Sequence, residues 1–312
     1  MMKMKENDMN RFYEVEEVRK AISCPVPSIT PQFFKNGEID WDSTGKVIEN
    51  ILSGGATALL VTFGDSLLSI LTDQETMQLN RFVTDIAAGR AMVIACSKQF
   101  CHRQMLEYAE ACREYGCDLV IPFYPDWAQS LGTEELAQCF REIGRIMPVM
   151  MLSNMTSGRG IPQEIYRVLS PSDGIVAVKD DMPYPYGKNN TSLIRDKFAY
   201  LSGGRAFTYM DVAPFGADGY LSVYARVFPG VSNDFWKAYH NGDLKEAVRL
   251  VEEYDSAFFD FCAGNSVHFS AAIQGLYEIA GVGNRWRRAP YSSLNDDEMA
   301  KLLSFANDKK LL

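Results

Sequence analysis

The chain has 312 residues, 47% hydrophobic and 23% charged, with 31 basic against 40 acidic side chains and a formal net charge of −9. Those values exclude a disordered chain, a collagen-like repeat and a coiled-coil rod, and an acidic surface is a poor match for a nucleic-acid backbone. One α/β barrel or two ordinary domains fit the length, and about 75% of the unfolded surface can be buried without disulfides or metals.

The first twenty residues are rich in Lys, Glu, Asp, Asn and Arg and lack the apolar core of a signal peptide. No apolar window of membrane-spanning length follows. The expected location is therefore cytoplasmic. The first β-prone run is 24–30 (CPVPSIT), followed by a predicted helix over 40–53 that opens on Asp40 and offers Trp41, Val47, Ile48 and Ile51 to one face. Strand 58–63 (ALLVTF) precedes helix 73–88, and strand 91–96 (AMVIAC) precedes helix 103–115. Strand 118–123 (DLVIPF) leads to helix 133–146, whose T-E-E start reads as a capped terminus. Strands 149–152, 174–178, 198–202 and 219–224 complete a set of eight, with a helix over 162–169 and a loop over 180–191. Beyond Arg226 the strand signal ends, and 233–239, 243–261, 267–280 and 295–306 read as helices.

Continuous apolar runs suit strands buried on both faces. Eight of them with helical crossovers predict a (β/α)8 TIM barrel, with a doubly wound sheet as the rival. The expected organisation is a polar lead over 1–21, a barrel over 22–228 and C-terminal helices over 229–312.

Seven cysteines form no C-x-x-C pair, and His102, His240 and His268 form no H-x-x-x-H pair. No metal site is expected. Neither a Walker loop nor G-x-G-x-x-G is present, so no nucleotide cofactor is expected. In a parallel barrel the chemistry collects where strands end. Lys179 directly follows the sixth apolar run. Desolvation there would make it a nucleophilic amine, while the alternative is a surface lysine reaching solvent or paired with Asp180 or Asp181. Tyr124 closes the fourth run, where a hydroxyl can move protons or a ring can simply pack. The fifth run opens a polar loop carrying Asn154 and Arg159, suited to holding a carboxylate or left as a solvated glycine loop.

Together these positions resemble the dihydrodipicolinate synthase / N-acetylneuraminate lyase family over most of the chain. The P-S-I-T-P opening, Pro122-Phe123-Tyr124, the strand 174–179 ending in Lys179, Leu201-Ser202-Gly203, the segment 216–222 and the segment 284–290 match its motifs in order. The resemblance implies a barrel and a metal-independent, cofactor-free class I aldolase or lyase. Lys179 would form an imine with a 2-keto acid such as pyruvate, and Tyr124 would move protons. Gly203 and the backbone of Leu221 would line the substrate. The partners implied are a small keto acid, an aldehyde and further copies of the chain in a dimer or tetramer.

The departures bear on substrate. The family's paired threonines after the second strand become Gly64 and Asp65, with Ser66 one place on. An aspartate there repels a substrate carboxylate unless it is protonated or turned away. In the fifth-strand loop Asn154 and Gly160 match, but Gly158 takes the arginine position and Arg159 follows it. The expected function is a Schiff-base lyase on a pyruvate-like keto acid. The alternatives are a 4-hydroxy-tetrahydrodipicolinate synthase with an altered carboxylate site, or a non-catalytic ligand-binding member.

Overall fold

The structure is a computed structural model that describes residues 13–61, 64, 67–97, 101–124, 131–154, 160–182 and 186–312. Its strands are β1 (Pro25–Val26), β2 (Ala58–Val61), β3 (Met92–Cys96), β4 (Leu119–Ile121), β5 (Val149–Leu152), β6 (Ile175–Asp180), β7 (Ala199–Ser202) and β8 (Gly219–Leu221). They pair in parallel in the order β1-β8-β7-β6-β5-β4-β3-β2. The ring closes just past β1: Leu60 N donates to Pro27 O at 3.0 Å and Ile29 N donates to Leu60 O at 2.8 Å. This is the expected (β/α)8 TIM barrel.

Alternation along each strand explains the continuous apolar runs. Leu60, Ile94, Ile121, Leu152 and Leu201 fill the barrel interior. Their neighbours Leu59, Val93, Val120, Met151 and Tyr200 face outward into the layer beneath the helices.

The helices of that outer layer are α2 (Trp41–Ser53), α3 (Asp73–Ala87), α4 (His102–Tyr115), α5 (Thr133–Gly144), α6 (Ile165–Val168), α7 (Tyr186–Ile194) and α8 (Ala206–Val212). Asp40 caps α2 by accepting from Ser43 N at 3.0 Å. Thr72 and Glu75 form a reciprocal capping box on α3. The start of α5 differs from expectation: Gly132 is the N-cap, and Thr133 is already inside the helix without a capping bond. The segment 162–169 keeps only one helical turn, α6.

The polar lead holds a helix, α1 (Val15–Ile22), which plugs the bottom of the barrel with buried Val18 and Ile22. Two aspartates that precede strands fasten this plug. Asp218 accepts from Arg19 Nη1 at 2.9 Å and from Tyr200 N at 2.8 Å. Asp118 accepts from Tyr13 and from Val93 N, the latter at 2.7 Å. With the bottom closed, access to the interior is from the C-terminal ends of the strands.

The C-terminal helices are α9 (Pro229–His240), α10 (Leu244–Leu250), α11 (Ala257–Gly264), α12 (Phe269–Ile279) and α13 (Asp296–Asp308). The single helix expected over 243–261 is interrupted by a π-helical turn, Val251–Ser256. Arg288 anchors this region to the barrel with a two-pronged bond to Glu75 at 2.8 Å and a bond to Gly37 O at 2.8 Å. Gln32 Oε1 accepts from Gln274 Nε2 at 3.1 Å and Asn284 N at 3.0 Å. The segment 284–290 thus acts as a structural clamp. Among the described residues no helix is long and apolar enough to cross a membrane.

Candidate active site

Strand β6 decides where its polar end points. Side chains two residues apart share a face. Ala177 belongs to the interior cluster and Val178 to the outer layer. Lys179 therefore points inward, between its register partners Leu152 and Leu201. It is fully buried, at 0% exposure. An isolated buried ammonium costs several kcal/mol, so a partner is required. Asp181 supplies it, ion-paired to Nζ through Oδ1. The sequence left Asp180 and Asp181 as equal partners, and the alternation selects Asp181.

Asp180 faces the other way and organises the surrounding backbone. Its Oδ1 accepts from Ser153 Oγ at 2.5 Å and Met182 N at 2.9 Å. Its Oδ2 accepts from Tyr200 OH at 2.6 Å and Asn190 Nδ2 at 3.2 Å. One buried carboxylate thus ties the ends of β5 and β6 to β7 and α7. Burial and the Asp180 charge push the Tyr200 phenol far above its usual range, so it serves as a donor. Ser153 Oγ also accepts from Asp181 N at 3.1 Å. The backbone that carries the ion pair is fixed from two sides.

Cys96, at the inward-facing end of β3, senses both members of the pair. Burial pushes its thiol up to about 12, with Lys179 opposing the shift and Asp181 adding to it. It is a neutral thiol and does not compete with the lysine as nucleophile.

Gly203 lies against this pair. Its N donates to Asp180 O at 2.6 Å. A Cβ at this position would run into Asp181 Oδ1, so glycine leaves the room that the carboxylate occupies. Leu221 is a buried interior residue in register with Val26. Asn154 forms a bridge with Gly160 that closes the base of the fifth-strand loop. The Asn154 Oδ1 is buried with no hydrogen-bond partner among the described residues. Gly64 is exposed with open space around its Cα, and its carbonyl accepts from Leu67 N at 3.1 Å. Asp65, Ser66 and Arg159 lie outside the described residues.

Tyr124 occupies a different layer. Its ring packs edge-on against Phe140 of α5, with centroids 5.6 Å apart. Its hydroxyl meets His102 Nδ1 at 3.3 Å, and His102 Nε2 meets Glu142 Oε2 at 2.7 Å. Burial, then the neighbouring Cys139 and Glu142, raise the phenol well above its ordinary range. The structure brings Tyr124, His102 and Glu142 into one chain and directs the hydroxyl toward His102 at the start of α4. Neither Asp181 as the specific partner nor this His102–Glu142 extension stands out from the residue types alone. The i, i+2 parity from Lys179 was an available signal for the first. The second depends on packing between helices and had none.

A barrel with a lysine sealed inside the C-terminal end of its sixth strand defines a class of protein suited to amine chemistry on a small carbonyl compound. Comparison with known proteins narrows that class. The sequence profile of the dihydrodipicolinate synthetase family matches residues 23–309, and the chain belongs to this family. A 4-hydroxy-tetrahydrodipicolinate synthase from Oceanobacillus iheyensis is 26% identical over 292 residues, 90% of this chain and 94% of the relative. One from Pseudomonas aeruginosa is 29% identical over 238 residues, 73% and 78% of the two chains. Among solved structures, N-acetylneuraminate lyase from Fusobacterium nucleatum superposes with a TM-score of 0.82 at 13% identity, covering 92% of this chain and 99% of that one. A prophage protein of the same family from E. coli K12, solved in complex with pyruvate, gives 0.79 at 20% identity, covering 92% and 98%.

Proposed function

We propose that this protein is a Schiff-base-forming lyase or aldolase that acts on a pyruvate-like 2-keto acid through Lys179. The observation that carries the reading is the placement of Lys179: inward-facing, wholly buried and at the barrel's open end. A primary amine so placed attacks a carbonyl carbon, and the resulting iminium is an electron sink that lets a neighbouring carbon–carbon bond form or break. This chemistry calls for neither a metal nor an organic cofactor. Family membership and the pyruvate-bound neighbour support the substrate class.

In this reading Gly64, Asp65, Ser66, Asn154, Arg159, Gly203 and the backbone of Leu221 line the substrate. The Asn154 oxygen, without a hydrogen-bond partner among the described residues, can accept from a hydroxyl or ammonium on it. Tyr124 is the proton carrier of the rim, linked through His102 to Glu142. Seven free thiols fit a reducing, cytoplasmic compartment. The working form is a homo-oligomer, dimer or tetramer, which light scattering on the eluting peak measures.

The test is a panel of 2-keto acids incubated with the protein and borohydride and scored by intact mass. A trapped adduct with one or more of them supports the reading. A folded protein whose mass never changes overturns it in favour of a ligand-binding member of the family.

A further inference from the structure

The ion pair at the end of β6 carries a chemical role of its own. We infer that Asp181 is the proton carrier of imine formation at Lys179, a role that rests on the Schiff-base reading above. Asp181 touches the reacting nitrogen. It is 23% exposed at its side chain while Lys179 is sealed, so the carboxylate is the member of the pair that reaches solvent. Its backbone is held by Ser153, and Gly203 leaves the space that its carboxylate fills.

Among the described residues, the other titratable groups near this end of the barrel are committed elsewhere, Tyr124 to His102 among them. Asp180 has both oxygens committed to four donors and points out of the barrel. Tyr200 is a phenol committed to Asp180, and Cys96 is a buried neutral thiol.

Imine formation from an ammonium requires two protons to move from nitrogen to oxygen. In the first transfer the Lys179 ammonium gives a proton to Asp181. The freed lone pair forms the C–N bond, and the carbonyl π pair moves onto oxygen. That oxygen takes the proton from Asp181, which leaves a carbinolamine still protonated on nitrogen. Asp181 then accepts a second proton from nitrogen. The nitrogen pair expels the hydroxyl as the C–O bond breaks, and the leaving oxygen takes the second proton to depart as water. The iminium keeps one proton, and Asp181 ends as a carboxylate facing the new cation. A positioned carboxylate serving these transfers is worth about 10²-fold or more in rate.

The experiment compares rates of imine trapping at Lys179, read by peptide mass, with pyruvate and with formaldehyde as separate probes under borohydride. Formaldehyde needs no keto-acid recognition, so it reports on the amine alone. Asp181→Asn is expected to slow trapping about 10²-fold with the probes that react, and Asp181→Glu to recover most of the loss. Gly203→Ala displaces the carboxylate without removing it and is expected to slow trapping as well, which keeps the test alive should Asp181→Asn fail to fold. Trapping in Asp181→Asn at the wild-type rate or faster would show a mere charge partner and overturn the inference. Wild-type reaction with formaldehyde but with no keto acid would overturn the proposed function. The Asp181 role would then be decided on the formaldehyde rates.

Discussion

The ends of β6 and β4 handle charge in opposite ways. At the end of β6 a lysine with 0% exposure is paired with Asp181 inside the barrel, and the backbone around them is fixed by a saturated Asp180. At the end of β4 the hydroxyl of Tyr124 leads away from the barrel through His102 to Glu142, whose side chains are 30% and 36% exposed. Both ends follow an apolar run with a polar residue, and both match family motifs. Strand parity separates them: Lys179 falls on the inward face and Tyr124 in the layer under the helices. One end concentrates charge inside the barrel. The other connects a buried phenol with the surface.

The contrast can be broken at Tyr124. If the outward chain feeds protons to the rim, Tyr124→Phe should lower the steady-state rate about 10²-fold while the protein still traps keto acid. Single-turnover trapping against turnover separates the two. An unchanged rate would reduce the Tyr124–His102–Glu142 chain to packing.

Stability sharpens the same contrast at Asp180. Asp180→Ala leaves Ser153, Asn190, Tyr200 and the Met182 amide without their acceptor in a buried place. A loss of about 3 kcal/mol is expected from urea midpoints at constant slope. Glu142→Ala, at the exposed end of the other chain, should lose less than about 1 kcal/mol.

A pH-dependent effect is expected at a partly buried carboxylate outside both strand ends. Asp255, on the π-helical turn, accepts from Ala206 N at 3.1 Å and so steadies the rim after β7. Burial raises its carboxyl from the usual 3.8 to about 6, with Arg205 opposing. The folded protein therefore binds this proton more tightly than the unfolded chain. The associated stability is full below about pH 4 and is lost as pH rises through about 6, about 3 kcal/mol in all. Asp255→Asn should flatten that part of the stability profile.

Much of this was legible in the sequence, for a physical reason. Strands buried on both faces leave continuous apolar runs, and all eight lie where those runs fall. The end of β6 carried the motif that singled out Lys179 as a candidate. Other elements left weaker marks. The segment 180–191 reads as a loop because of Pro183, Pro185, Asn189 and Asn190. Helix α7 nonetheless begins at Tyr186, and Asn190 within it is bound by Asp180 across the fold. Helix α1 is short and charged, and its helical state owes much to two apolar residues docked under the barrel. The π-helical turn costs the chain its helical register without any residue that announces it. Partner choice at the site followed parity, a rule that acts only once the strand's extent is known.

The central claim is that Lys179 is the imine-forming amine. Peptide mapping of the protein after pyruvate and borohydride tests it most directly. The added mass is expected on the peptide that contains Lys179, and its complete loss is expected in Lys179→Ala. An adduct on another lysine, or one that persists in Lys179→Ala, would contradict it.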